Sequence, residues 1–253
     1  MSDRIESFDG TPLAVHRMGQ GRPVVLLHGL FSSAQMNWIR FGHAELLADA
    51  GFEAIMPDLR AHGDSGAPHD PAAYPTDVLV RDALALVEAL GLADYDLVGF
   101  SLGARTAASA VIAGLAPRRL ALCGMGLEGL SGWANRSAFF IDAIDRFDSV
   151  RPGDPAYYPV QFMKQMKIDR VAARLLLQSV GDAQAADLAA IAMPTAVICG
   201  ERDRDNGSPE ALADTLPQGQ HIEIPGDHMG SVTKPDLGHA ISAFLTANHM
   251  QFR

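Results

Sequence analysis

Three residues far apart in the chain, Ser101, Asp203 and His228, each follow an apolar run, and together they could perform nucleophilic acyl chemistry. A serine hydroxyl alone is a poor nucleophile. It needs an imidazole to take its proton, and the imidazole needs a buried carboxylate to fix its tautomer and stabilise its cation. Ser101 sits in Gly99-Phe100-Ser101-Leu102-Gly103, between the run Tyr95–Val98 and the small-residue stretch Ala104–Ala113. That is a strand, a sharp turn and a helix written side by side. A serine at the tip of such a turn is held in a strained backbone conformation, and side chains two residues to either side would collide there. Gly99 and Gly103 remove those side chains. Ser101 Oγ is then expected at the carboxyl end of a sheet, beside a helix amino terminus and the Leu102 N–H, where developing negative charge is stabilised. Taken alone, the motif also fits a helix N-cap serine with incidental glycines, so the elements around it must decide.

Those elements alternate. Ile5–Phe8, Asp9-Gly10 and Leu13–Arg17 predict a β-hairpin, Asp-Gly supplying the positive-φ turn. Val24–Leu27 is apolar without interruption, as expected of a central strand covered on both faces. A helix over Met36–Ala50 closed by Gly51, a strand over Phe52–Met56, a loop over Asp70–Pro75, and a helix capped by Thr76 and closed by Gly91 follow. After the serine turn come strands at Arg119–Cys123, Thr195–Cys199 and His221–Ile224. Helices are expected to open at Ser208-Pro209-Glu210 and at Thr233-Lys234-Pro235-Asp236. This rhythm predicts an α/β fold, a mostly parallel central sheet flanked by helices. In such a sheet reactive groups gather in loops at the carboxyl ends of strands, where Ser101, Asp203 and His228 all fall.

The rhythm breaks between 126 and 182, which reads as two or three helices interrupted at Pro152-Gly153-Asp154-Pro155 and at Pro159. Seven of the seventeen aromatic residues lie there, so the segment is expected to be an inserted helical lid, with Trp133, Phe139 and Phe162 as candidate substrate contacts. Residues 1–125 and 183–253 then form the core. Most of these aromatics are also explained by docking the lid on that core.

The pieces resemble the α/β-hydrolase fold superfamily along almost the whole chain outside the lid. They are His28-Gly29 after the first buried strand, the Asp58-Leu59-Arg60-Ala61-His62-Gly63-Asp64-Ser65 loop, the serine turn, Gly200-x-x-Asp203, and Gly226-Asp227-His228 before Lys234-Pro235-Asp236. The chain order Ser, Asp, His is also that of the superfamily. The resemblance implies Ser101 as nucleophile, His228 as general base, Asp203 as orienting acid, and the N–H groups of Leu30 and Leu102 as the oxyanion hole. It gives His28 and His62 structural duties, bracing loops. Ala61 departs from the family pattern by standing where a glycine is usual. Asp205 and Glu201 flank Asp203 and are alternative acids; Asp227 reads as structural, and Asp58, Arg60 and Asp64 as a fixed loop network.

The implied activity is that of a serine hydrolase cleaving a small, apolar carboxylic ester, with no cofactor and no metal. A serine in place of an aspartate disfavours the epoxide hydrolase and haloalkane dehalogenase branches, which need an ester intermediate on a carboxylate. Lactone hydrolysis, carbon–carbon cleavage and perhydrolysis use the same residues, and a non-catalytic ligand-binding protein on this scaffold is the competitor from another class. A formal charge of −10 argues against nucleic acid or an anionic membrane surface as partner. With no apolar leader and no membrane-length apolar stretch, the chain is expected to be cytoplasmic, as a monomer or small homo-oligomer with a small-molecule substrate. Cys123 and Cys199 end buried strands and read as reduced core residues.

Overall fold

The computed structural model describes residues 2–183 and 185–247; Met1, Gln184 and residues 248–253, which the expected core spans, lie outside the described residues. Among these residues eight strands form one sheet: β1 (Asp3–Glu6), β2 (Pro12–Gly19), β3 (Arg22–Leu27), β4 (Phe52–Pro57), β5 (Asp96–Phe100), β6 (Leu120–Cys123), β7 (Thr195–Gly200) and β8 (Gly219–Ile224). Their spatial order is β1-β2-β4-β3-β5-β6-β7-β8. The first two pairings, β1 with β2 and β2 with β4, are antiparallel, and every later one is parallel. From β3 the chain runs outward to β4, then returns to place β5 on the other side, so the strand order reverses between β3 and β5. Loops leaving the carboxyl ends of two such strands diverge and open a crevice between them.

Among the described residues, ten α-helices accompany the sheet: α1 (His43–Asp49), α2 (Val78–Ala89), α3 (Leu102–Ile112), α4 (Leu127–Ser131), α5 (Trp133–Asp145), α6 (Tyr157–Gln165), α7 (Arg170–Ser179), α8 (Pro209–Thr215), α9 (His228–Val232) and α10 (Pro235–Thr246). The period-two geometry of β3 explains its unbroken apolar sequence. Val25 and Leu27 join a core layer with α2 and α3, while Val24 and Leu26 join the layer under α1 and α10. Cys123 and Cys199 lie on the adjacent strands β6 and β7 as buried free thiols. Among the described residues, no helix is long and apolar enough to cross a membrane.

Some local expectations are corrected. The helix expected over Met36–Ala50 is two pieces, a π-helical turn at Gln35–Ile39 and then α1, because Gly42 takes φ 78° between them. Thr76 does not cap α2. Asp77 occupies that position at φ 56° and turns its carboxylate to the Gly181 N–H at 2.8 Å. Pro159 does not break a helix but sits in the first turn of α6, where a missing N–H costs nothing. Lys234, without a side-chain cap, precedes α10 in place of a Thr233 cap. Ser208 behaves as expected, accepting the Ala211 N–H at 3.1 Å ahead of Pro209.

Candidate active site

Ser101 joins β5 to α3 with φ 52° and ψ −112°, a strained conformation for a residue bearing a Cβ. Main-chain bonds hold it there: its N–H donates to the Cys123 carbonyl at 2.9 Å, and its own carbonyl accepts the Arg105 N–H at 3.0 Å. The flanking glycines are packing requirements. A Cβ on Gly99 would fall into the backbone of Gly103 and Ala104, and one on Gly103 into the carbonyls of Leu27 and His28. The second approach ties the turn to the end of β3.

His228 opens α9, just past the end of β8. Its Nε2 lies 3.1 Å from Ser101 Oγ and its Nδ1 2.9 Å from Asp203 Oδ2. With Nδ1 donating to the carboxylate, Nε2 is free to accept from the serine hydroxyl. Asp203, 3% exposed, follows β7; its other oxygen accepts the Asp205 N–H at 3.2 Å. The imidazole packs against Phe100 with ring centroids 5.1 Å apart. Of the alternative acids, Asp205 offers Asp203 only its backbone, and Glu201 pairs with Arg202 at 3.0 Å on the surface. Asp227 caps α9, accepting the Gly230 N–H at 2.7 Å.

Leu30 follows β3 in a loop fastened on both sides of it. The Gly29 N–H donates to Asn37 Oδ1 at 3.1 Å and the Phe31 N–H to His62 Nε2 at 2.9 Å. His28, fully buried, donates from Nδ1 to the Gly29 carbonyl and accepts the Leu59 N–H at Nε2, each near 2.9 Å. Burial pushes the His28 imidazole down to about 4 and that of His62 to about 3, so both rings are neutral struts. Among the described residues, the N–H groups of Leu30 and Leu102 donate to no protein acceptor, and both residues border the same cavity as Ser101.

The loop after β4 supports this arrangement. Asp58 accepts the Ala34 N–H at 2.8 Å and the Asp64 N–H at 2.9 Å, one on each oxygen. His16 and Asp64 place ligand-type atoms near Asp58, but both Asp58 oxygens are already occupied by main-chain donors. Arg60 turns the other way, fully buried, and forms paired bonds with Asp82 and Asp9. Ala61 adopts φ 65°, the left-handed region in which glycine is the easier residue.

A cavity of about 800 Å³ opens over Ser101 and His228. Trp133 and Phe162 are on its wall, Trp133 also donating from Nε1 to the Leu177 carbonyl at 3.1 Å. Phe139 is not on the wall and is a correction; Phe140 takes that place. Successive helical residues diverge by about 100°, and Trp133, Arg136 and Phe140 of α5 share one face at i, i+3 and i+7 while Phe139 turns to solvent. That spacing was a readable signal. Asn37, Arg105 and Arg136 are also on the wall and carry no motif that sequence reasoning could use.

A family model described as the alpha/beta hydrolase fold matches residues 22–121. Among curated proteins, Epoxide hydrolase 2 of Siraitia grosvenorii is 36% identical over 102 residues, a match spanning 40% of this chain but only 31% of that relative. Among solved structures, an esterase from Exiguobacterium antarcticum aligns with a TM-score of 0.80 at 18% identity, over 98% of this chain and 100% of the other. The enol-lactonase from Burkholderia xenovorans LB400 aligns with a TM-score of 0.75 at 21% identity, over 97% and 100%. The whole-length likeness of fold and the family match across β3 to β6 agree: the chain has the α/β-hydrolase fold, and its residues 22–121 are similar to that family.

Proposed function

We propose that the protein is a serine hydrolase that cleaves a small carboxylic ester through an acyl-enzyme on Ser101. The observation that carries this reading is the continuous hydrogen-bonded line from Asp203 Oδ2 through both His228 nitrogens to Ser101 Oγ, at 2.9 and 3.1 Å, on a strained turn. In the first step Oγ attacks the ester carbonyl carbon and His228 Nε2 takes the hydroxyl proton. The carbonyl oxygen becomes an oxyanion facing the N–H groups of Leu30 and Leu102, a contribution of roughly 10²–10³ in rate for each donor. The imidazolium then gives its proton to the departing alcohol. A water, deprotonated by the same nitrogen, attacks the acyl-serine and releases acid and free enzyme. Asp203 holds the ring and offsets its charge throughout. The helices over 126–182 act as a lid whose aromatic wall receives the substrate's apolar part, a reading supported by Trp133, Phe140 and Phe162 on the cavity.

Epoxide opening, suggested by the curated relative's name, fits these residues poorly. Attack by Ser101 on an epoxide carbon would leave a dialkyl ether, which imidazole-activated water does not cleave, so the enzyme would stop after one event. Lactone hydrolysis is the same acyl chemistry with the alcohol still tethered and remains within the proposal.

The test is hydrolysis of p-nitrophenyl acetate and butyrate by the wild-type protein and by Ser101→Ala, with intact-mass detection of a fluorophosphonate adduct. Turnover and a single adduct, both lost in the variant, are expected. A wild-type protein that neither turns over ester nor takes the label would overturn the assignment in favour of a binding protein.

A further inference from the structure

The cavity wall carries two buried side-chain atoms without a hydrogen-bond partner among the described residues, Asn37 Nδ2 and Arg105 Nε, and both are N–H donors. Arg105 is the more demanding. It lies one turn beyond Ser101 on α3 and is only 2% exposed. Its two terminal nitrogens are held by fixed acceptors, Nη1 by the Gly129 carbonyl and Nη2 by the Gly181 carbonyl and Asp182 Oδ1, the last at 2.7 Å. The guanidinium is thereby locked, with Trp133 against its face at 5.2 Å, and its Nε–H is left unanswered. A buried donor without a partner is unfavourable, and a cation's donor in a substrate cavity is answered best by an anion.

A second guanidinium shares the cavity wall. Arg136, on the cavity face of α5, has no carboxylate in ion-pair contact among the described residues; its Nη1 donates to the backbone carbonyl of Asp205, and Phe140 lies under it at 5.8 Å. The Asp205 and Asp203 carboxylates attract it only at a distance. The two arginines are near enough that the charge of Arg136 opposes that of Arg105, and burial holds both below the usual arginine range. An anion bound between or beside them would satisfy the open donor and remove the repulsion. The protein's own carboxylates do not do this: Asp182 grips Arg105 at Nη2, Asp227 is engaged in capping α9, and Asp205 contributes its main chain.

We propose that the Arg105–Arg136 side of the cavity is a carboxylate subsite, so that the ester or lactone acted on at Ser101 carries an anionic group of its own. The term substrate rests on the hydrolase reading above, but the anion site does not. It narrows the apolar ester expected from the lid's aromatics to an amphiphilic one, its carbon chain on Trp133, Phe140 and Phe162 and its carboxylate on the guanidinium pair.

The experiment separates the two ideas. Glutarate is titrated into the wild-type protein and binding is followed by calorimetry, with dimethyl glutarate as the uncharged control. In parallel, kcat/KM is measured for p-nitrophenyl hydrogen glutarate and for its methyl ester. Saturable glutarate binding absent from the control is expected, together with a preference for the acid over the methyl ester. Arg136→Gln should weaken glutarate binding and lower the acid-to-ester ratio by roughly tenfold or more, the scale of one charge-assisted bond. Arg105→Lys keeps the charge but loses the Nε–H and the bonds to Gly129, Gly181 and Asp182, so it should weaken binding with some loss of melting temperature; Arg136→Gln, which gives up one exposed bond to the Asp205 carbonyl, is read with the melt unchanged. Absence of glutarate binding to the wild-type protein, or binding that neither variant changes, would overturn the subsite. Labelling of Ser101 by an uncharged fluorophosphonate reports the hydrolase reading alone, so either idea can fail without the other.

Discussion

The Nε2 of His62 accepts the Phe31 N–H at 2.9 Å, which places a neutral, fully enclosed imidazole directly behind Leu30. His28 stands in T-shaped contact with it, centroids 5.2 Å apart, and does the same for the Leu59 N–H. Each ring must stay unprotonated at Nε2 to accept its bond. Their folded values, about 3 for His62 and about 4 for His28, lie below the ordinary 6.5, so the unfolded chain takes up protons that the folded one refuses. Stability from these rings is therefore complete above about pH 6.5 and is lost as pH falls toward 4, by up to about 1.4 kcal/mol per pH unit for each ring. Urea denaturation of the wild type and of His62→Gln at pH 7.5, 6.5, 5.5 and 4.5 checks this. The variant should be less stable at pH 7.5 and show a shallower slope below pH 6.5; parallel slopes would count against His62.

Asn37 holds the other side of the same loop through Gly29, and its Oδ1 is the atom that must accept there. Asn37→Ala leaves the Gly29 N–H unpaired and lets Leu30 drift from the oxyanion position proposed for it. The expected result is a fall in kcat of about tenfold or more for an uncharged ester, with little change in KM, and a loss of about 1–2 kcal/mol of stability. Asn37→Asp, which preserves the acceptor, should recover most of the stability. A purely structural role would lower stability without the kcat effect.

The two glycines around Ser101 make a sharper contrast with a glycine elsewhere. Gly91 has open space around its missing Cβ and only its φ of 61° to lose, so Gly91→Ala should cost about 1–2 kcal/mol. At Gly103 an alanine must displace the backbone at Leu27, the end of β3, and at His28 just beyond it, and about 3 kcal/mol or more is expected, with loss of labelling at Ser101. Chemical denaturation of both variants is the measurement. Equal costs would mean that the turn relaxes freely and that its strain is not imposed by packing.

The readable part of this chain was the part written locally. Val24–Leu27, the serine turn with its two glycines, and Ser208-Pro209 each state their structure within a few neighbouring residues, and the fold follows from their alternation. The partners of Arg105 do not. They are the carbonyls of Gly129 and Gly181 and the carboxylate of Asp182, as far as 77 positions away, and nothing in the sequence around Arg105 names them. Arg60 likewise shares a loop with Asp58 and Asp64 but bonds to Asp9 and Asp82. Phe139 and Phe140 differ only in which way the helix turns them, and that was legible had the i, i+3, i+7 face of Trp133, Arg136 and Phe140 been weighed above aromatic content.

The assignment of the acid rests on three neighbouring candidates, and the geometry separates them. Asp203 alone reaches His228 Nδ1, at 2.9 Å, and it is buried, so its charge acts on the imidazolium without solvent screening. Asp203→Asn keeps the shape but can donate to Nδ1. That favours the tautomer with the proton on Nε2, the atom that must accept from Ser101, and a fall in kcat of about 10⁴-fold is expected with the fold intact. Asp205→Asn and Glu201→Gln remove carboxylates that make no bond to the ring, and each should change kcat on p-nitrophenyl butyrate by less than about threefold, because screened charges at the surface act weakly. Steady-state kinetics of the three variants, with circular dichroism to verify folding, decides among them. A loss in Asp205→Asn equal to that in Asp203→Asn would mean that the loop after β7 presents a different carboxylate to His228 during turnover.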